Sequence, residues 1–130
     1  LANSLCSLLS RYPDFIFHDL FLSELSRLLK KELSGHEKEF TTVLLRQFHY
    51  IDSFRSHVNK TDRNEKLKYA NGAYSIHLKM KFFNVRFLIH VTPDDKNVYF
   101  LSAFYEREGK GKTSYDEYIP ILKRRLQELM

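Results

Sequence analysis

The feature that most constrains this chain is a run of strict alternation between Tyr74 and Phe82. Tyr74, Ile76, Leu78, Met80 and Phe82 share one parity, while Ser75, His77, Lys79 and Lys81 share the other. A period of two places successive side chains on opposite faces of a strand, so this run predicts a half-buried β-strand with a basic second face. Phe83-Asn84 can turn the chain into a second strand, where Val85, Phe87, Ile89 and Val91 oppose Arg86, Leu88 and His90. The Thr92 to Asn97 stretch, TPDDKN, is rich in turn formers and leads into a third strand from Val98 to Tyr105. That strand is apolar on both parities, which predicts an interior position in a three-stranded antiparallel meander.

The residues before the meander follow a different period. DFIFHDLF, from Asp14 to Phe21, predicts a short strand feeding a helix. Leu22, Leu25, Leu28 and Leu29 then recur at helical spacing up to about Leu33, Lys30 and Lys31 suit the final turns, and Ser34-Gly35 stops the helix. A second helix is predicted from Glu37 to about Arg55, with Phe40, Val43, Leu44, Phe48 and Ile51 on one stripe and His49 and His57 read as surface or helix-end residues. The polar stretch from Ser56 to Lys66 reads as a loop. After the meander, Ser114 and Glu117 have the spacing of a capping box for a last helix reaching Leu129, with Pro120 marking either a kink or a later start. The predicted order is β-α-α-β-β-β-α, an α+β fold in one domain spanning residues 1–130, with 1–13 a frayed or helical extension.

Composition narrows the function classes. Eleven Phe and eight Tyr supply the bulk for a core, and one cysteine, Cys6, leaves no intramolecular disulfide or Cys-X-X-Cys pair to form, which points to a reducing cytoplasm. No apolar run approaches the roughly 18 residues of a membrane span, so no membrane partner is expected. The net charge of +5 resides wholly in the second half, since residues 1–59 carry seven basic and seven acidic side chains. Such a bias favours an anionic partner through long-range attraction and counterion release. The six histidines show no zinc-binding spacing, and neither metal nor cofactor is expected. Gly109 to Thr113 ends like a phosphate-binding P-loop, but Glu106 stands where that loop needs its first glycine.

A meander brings distant basic residues onto one sheet face. Lys66, Lys68, His77, Lys79, Arg86, Arg107, Lys110, Lys112 and Tyr115 form the candidate set. Lysine and arginine can hold phosphate, and a histidine or tyrosine can carry the proton needed to activate a ribose 2′-hydroxyl, which gives the parts for metal-independent cleavage of RNA.

The stretch from Lys66 to Lys112, beginning KLKYANGAYSIHLKMKF, resembles the RelE/ParE family of bacterial type II toxins. The shared order is a Lys-Leu-Lys group, a glycine and tyrosine, a strand, an arginine-bearing strand, an apolar strand, a lysine-rich loop, Lys-Thr and a helix. The resemblance implies a small α+β domain acting as an mRNA endoribonuclease, on the ribosome or on free mRNA, and neutralised by an antitoxin, here expected to be acidic. Lys66 and Lys68 match the family's basic pair, Arg86 the arginine of its second meander strand, and Lys112-Thr113 the Lys-Thr before the final helix. Tyr115 lies near the catalytic aromatic. His77 stands where many members carry arginine, a departure that supplies a base in place of a cation or marks altered activity. The family also includes gyrase poisons that cut no RNA, so a non-catalytic gyrase inhibitor and a nucleic-acid-binding module are the competing expectations.

Overall fold

The computed structural model describes residues 7, 10–68, 70–106 and 115–130. In chain order these form β1 (Phe15–Phe17), α1 (Asp19–Lys30), α2 (Glu37–Phe54), β2 (Glu65–Lys66), β3 (Ala73–Met80), β4 (Phe83–Val91), β5 (Val98–Tyr105) and α3 (Ile119–Leu129). Single 3₁₀ turns occupy Arg55–Lys60 and Tyr115–Glu117. The fold is α+β, and the predicted meander is the centre of a larger, mixed sheet of order β1-β5-β4-β3-β2. β1 runs parallel to β5, whereas the remaining pairs are antiparallel. The short β2 pairs Glu65 with Ser75 and Lys66 with Tyr74, a strand that the polar Ser56–Lys66 stretch gave no periodic signal for.

The two parities of β3 and β4 separate as their sequence predicts. Tyr74, Ile76, Leu78, Val85, Phe87 and Ile89 pack beneath α1 and α2 with Phe21, Phe40, Phe48 and Phe100 in one large core. On the other face, Leu88, Tyr99 and Leu101 meet Leu67 and Leu122 of α3 in a smaller one. The sheet is therefore a middle layer, and β4, its central strand, is buried at every position but His90. A bulge in β5 serves this arrangement. Leu88 faces Ser102 but Ile89 faces Phe100, so Leu101 is the extra residue and turns with Tyr99 toward α3.

Several boundaries move for identifiable reasons. α1 begins at Asp19 rather than Leu22 because the His18 Nδ1 accepts the Leu20 N–H at 3.0 Å, acting as the N-cap. It ends at Lys30, where the Leu33 N–H bonds back to the Leu28 carbonyl and leaves Leu33 wholly buried. Gly35, at φ +84°, closes the connection just before α2. The β3–β4 turn is Lys81-Phe82 rather than Phe83-Asn84, which ejects Phe82 from the apolar parity and leaves it 60% exposed. α3 starts at Ile119 with Tyr118 at its N-cap and Pro120 in its first turn, where proline's missing donor costs nothing. Ser114 of the expected capping box lies outside the described residues.

Both edges of the sheet are closed by side chains where a strand is too short to reach. Beyond β1, the Leu101 carbonyl accepts from Arg125 Nη1 at 2.7 Å and the Ala103 N–H donates to Glu24 Oε1 at 3.1 Å. Glu24 and Arg125 also bond each other through both carboxylate oxygens, at 2.9 and 3.1 Å. Beyond β2, the Asn64 Oδ1 accepts the His77 N–H at 2.8 Å, and Gln47 Nε2 donates to the His77 carbonyl at 3.1 Å. Two side chains thus do the work of a β2 residue, and they hold the turn before β2 against α2. The stretch expected to be a plain polar loop is anchored further by buried Val58 and by the Tyr74 hydroxyl, which donates to the Ser56 carbonyl at 2.7 Å.

Candidate functional site

The site lies on the α3 face of β2, β3 and β4. Antiparallel pairing sets Glu65 opposite Ser75, His77 opposite Arg86, and Lys79 opposite Asn84, all on that face. The 3₁₀ turn before α3 adds Tyr115, whose hydroxyl is 2.8 Å from Ser75 Oγ. His77 Nε2 stands 3.9 Å from Glu65 Oε1, close enough for charge attraction but outside direct hydrogen-bond reach. His77, Arg86 and Tyr115, which come from three parts of the sequence, are thereby gathered around Ser75.

Each of these groups sits in a distinct electrostatic setting. The Arg86 side chain is 7% exposed and donates through Nη1 to Asn84 Oδ1, while its buried Nε has no hydrogen-bond partner among the described residues. Arg86 is therefore a buried, oriented cation and not the open clamp that its place in a basic strand suggests. Burial pushes the Tyr115 phenol above the ordinary tyrosine range; the Ser75 hydrogen bond pulls it back, the Glu65 carboxylate raises it, and Arg86 lowers it. The net direction is upward, so Tyr115 holds its proton through the neutral range.

Two hollows flank this group. One, of about 350 Å³, is lined by Arg46, Asp62, Arg63, His77, Lys79, Met80 and Lys81. The other, of about 200 Å³, is lined by Lys66, Lys68, Glu65, Tyr115 and Asp116 with Leu67 and Ile119. The expected basic patch is thus divided: Lys79 lies on one side, Lys66 and Lys68 on the other, and the His77–Glu65 contact joins the two. Arg107, Lys110 and Lys112 lie outside the described residues, as does the P-loop-like string from Gly109 to Thr113. Sequence reasoning missed Arg46 and Arg63. The signal that pointed to them is Gln47, a polar residue within the apolar stripe of α2, which ties Arg46's helix turn to the loop carrying Arg63.

Among the described residues, no group of three or more His, Cys, Asp or Glu side chains is arranged to hold a metal ion. No helix among them is long and apolar enough to cross a membrane. No family model, curated protein or solved structure matches the chain.

Proposed function

We propose that this chain is an endoribonuclease of the type II toxin kind, cleaving mRNA through its own side chains. The observation that carries the proposal is the convergence of His77, Tyr115, Ser75 and Arg86 on one sheet face between two basic hollows. In this reading His77, with Glu65 beside it, takes the proton from the ribose 2′-hydroxyl. The 2′ oxygen bonds to phosphorus, the bond from phosphorus to the 5′ oxygen breaks, and Tyr115 donates its proton to that leaving oxygen. The products are a 2′,3′-cyclic phosphate and a free 5′-hydroxyl. Arg86 supplies fixed positive charge beneath the reacting phosphate, acting through its field and not through a direct contact, because the side chain is buried. Lys66, Lys68 and Lys79 hold the flanking backbone. Burial keeps the Tyr115 phenol protonated, so it can donate a proton but not accept one, and the base role falls to His77.

An active nuclease of this kind needs a silencing partner. The exposed basic rims fit an acidic protein segment laid over them, in the manner of an antitoxin.

The test is inducible expression of the chain in bacteria beside Tyr115→Phe and His77→Gln, following growth and mapping new 5′ ends in cellular RNA. Growth arrest with cuts in translated messages, reduced at least about a hundredfold in each variant, is the expected result. Arrest without cuts would transfer the reading to a protein target such as gyrase. Cuts that persist in both variants would remove His77 and Tyr115 from the chemistry.

A further inference from the structure

The larger hollow is better built for a nucleic acid strand than the cleavage face alone requires. It is enclosed by α2, the turn before β2 and the β3–β4 hairpin, and its lining carries Arg46, Arg63, Lys79 and Lys81 around His77. Asp62 is the one carboxylate among the lining residues described. That carboxylate accepts from Gln47 Nε2 at 2.7 Å and sits 3.5 Å from Arg46 Nε, so its charge is held on the helix side. The Arg46–Asp62 pair is half exposed, and such pairs contribute little to stability.

Next in the chain to Lys81 of the lining, the hairpin tip presents Phe82, 60% exposed. The ring is not loose: His36, from the turn between the two long helices, stacks parallel to it with centroids 5.2 Å apart and planes 8° from parallel. Lys81 Nζ lies 5.7 Å from the same ring centroid. A supported aromatic face beside a groove of cations is the arrangement that binds single strands, the ring taking a base and the cations the backbone.

We infer that this hollow is a binding subsite for single-stranded RNA, in which Arg63, Lys79 and Lys81 each meet a backbone phosphate and an adjoining base stacks on Phe82. The inference rests on the RNA reading proposed above and extends it from the reacting phosphate to the strand beside it. An acidic peptide would engage the cations but would have no use for the ring.

The test uses the full chain and a fluorescein-labelled, ten-residue 2′-O-methyl oligouridylate, which lacks the nucleophile and cannot be cut. Binding is followed by anisotropy across a salt series. Arg63→Gln and Lys81→Gln are each expected to reduce the slope of log affinity against log salt by about 0.7, the value for one phosphate contact on a single strand. Phe82→Ala is expected to weaken binding at least about fivefold with the slope unchanged. All three side chains are exposed, so thermal unfolding should match that of the parent and serves as the folding control. Absent binding by the parent chain, unchanged slopes, or displacement by polyglutamate with no effect of Phe82→Ala would each overturn the inference. Altered slopes in a chain that makes no cuts in cells would retain the subsite and refute the nuclease. Cuts in cells with unaltered slopes would do the reverse.

Discussion

Gln47→Leu tests whether side chains substitute for a strand beside His77. Gln47 is wholly buried, and its amide serves three partners: Nε2 donates to Asp62 Oδ2 at 2.7 Å and to the His77 carbonyl at 3.1 Å, while Oε1 accepts from Asn64 Nδ2 at 2.9 Å. Leucine is close in volume and keeps the packing of α2 on β3, so the perturbation is confined to polarity. It leaves the His77 carbonyl without that donor, and Asn64 Nδ2 with only Thr61 Oγ1 at 3.2 Å. Two buried polar groups deprived in this way cost about 1–3 kcal/mol each, and the added apolar contact returns part of that, for a net loss of about 2–4 kcal/mol. For a domain of this size, at about 2.1 cal/mol/K of unfolding entropy per residue, the melting temperature should fall by roughly 7–15 °C. Urea unfolding followed by circular dichroism measures the loss directly, and a double-mutant cycle with Asn64→Ala should give a coupling of at least about 1 kcal/mol. A loss below about 0.5 kcal/mol, or additive effects of the two substitutions, would show that the network does not hold the edge of β3.

Other substitutions probe the remaining features of the fold. Arg125→Met strands the Glu24 carboxylate and the Leu101 carbonyl at the opposite edge, and urea unfolding should show a loss of about 3–5 kcal/mol, much of it recovered when Glu24→Gln is added. Gly72 and Gly35 both have positive φ, yet a Cβ at Gly72 would stand 2.8 Å from the Val91 carbonyl oxygen while one at Gly35 meets nothing within 4 Å. Gly35→Ala should therefore cost about 1 kcal/mol for its backbone alone, and Gly72→Ala at least twice that, both read as shifts in the urea midpoint. Burial lowers the His90 pKa, so the unfolded chain takes up its proton first as the pH falls. Stability is then complete above the unfolded histidine value of about 6.5 and declines as the pH drops through the folded value, and His90→Phe should flatten that limb of a plot of melting temperature against pH. Burial raises Tyr74, Tyr115 and Tyr118, so the opposite limb should fall as the pH climbs past the unfolded tyrosine value of about 10.

The candidate site was only partly legible in the sequence. The parity of Ser75, His77 and Lys79 put them on one face, and the adjacent strand could bring Arg86 to that face, because strand alternation is a local property of the backbone. The contact between Tyr115 and Ser75, forty positions apart, depends on how α3 returns over the sheet, and no local pattern encodes that return. The same holds for Arg46 and Arg63. Each reads as an ordinary solvated charge until Gln47 and Asn64 draw a helix and a turn together. Arg86 shows the converse case, since its residue type suggests an exposed phosphate clamp and its packing makes it a buried cation.

What the sequence determined by itself was the set of elements and the faces they bury, through the period-two run from Tyr74, the apolar stripe from Phe40 to Ile51 and the turn residues between the strands. These are near-neighbour effects, set by backbone geometry and the gain from removing apolar surface from water. Tertiary structure alone decided the parallel docking of β1 on β5, the side-chain closure of both sheet edges, the exposure of Phe82 and the division of the basic patch into two hollows. Each depends on groups far apart in the chain satisfying the same buried donors and acceptors, a requirement that arises only when the elements meet.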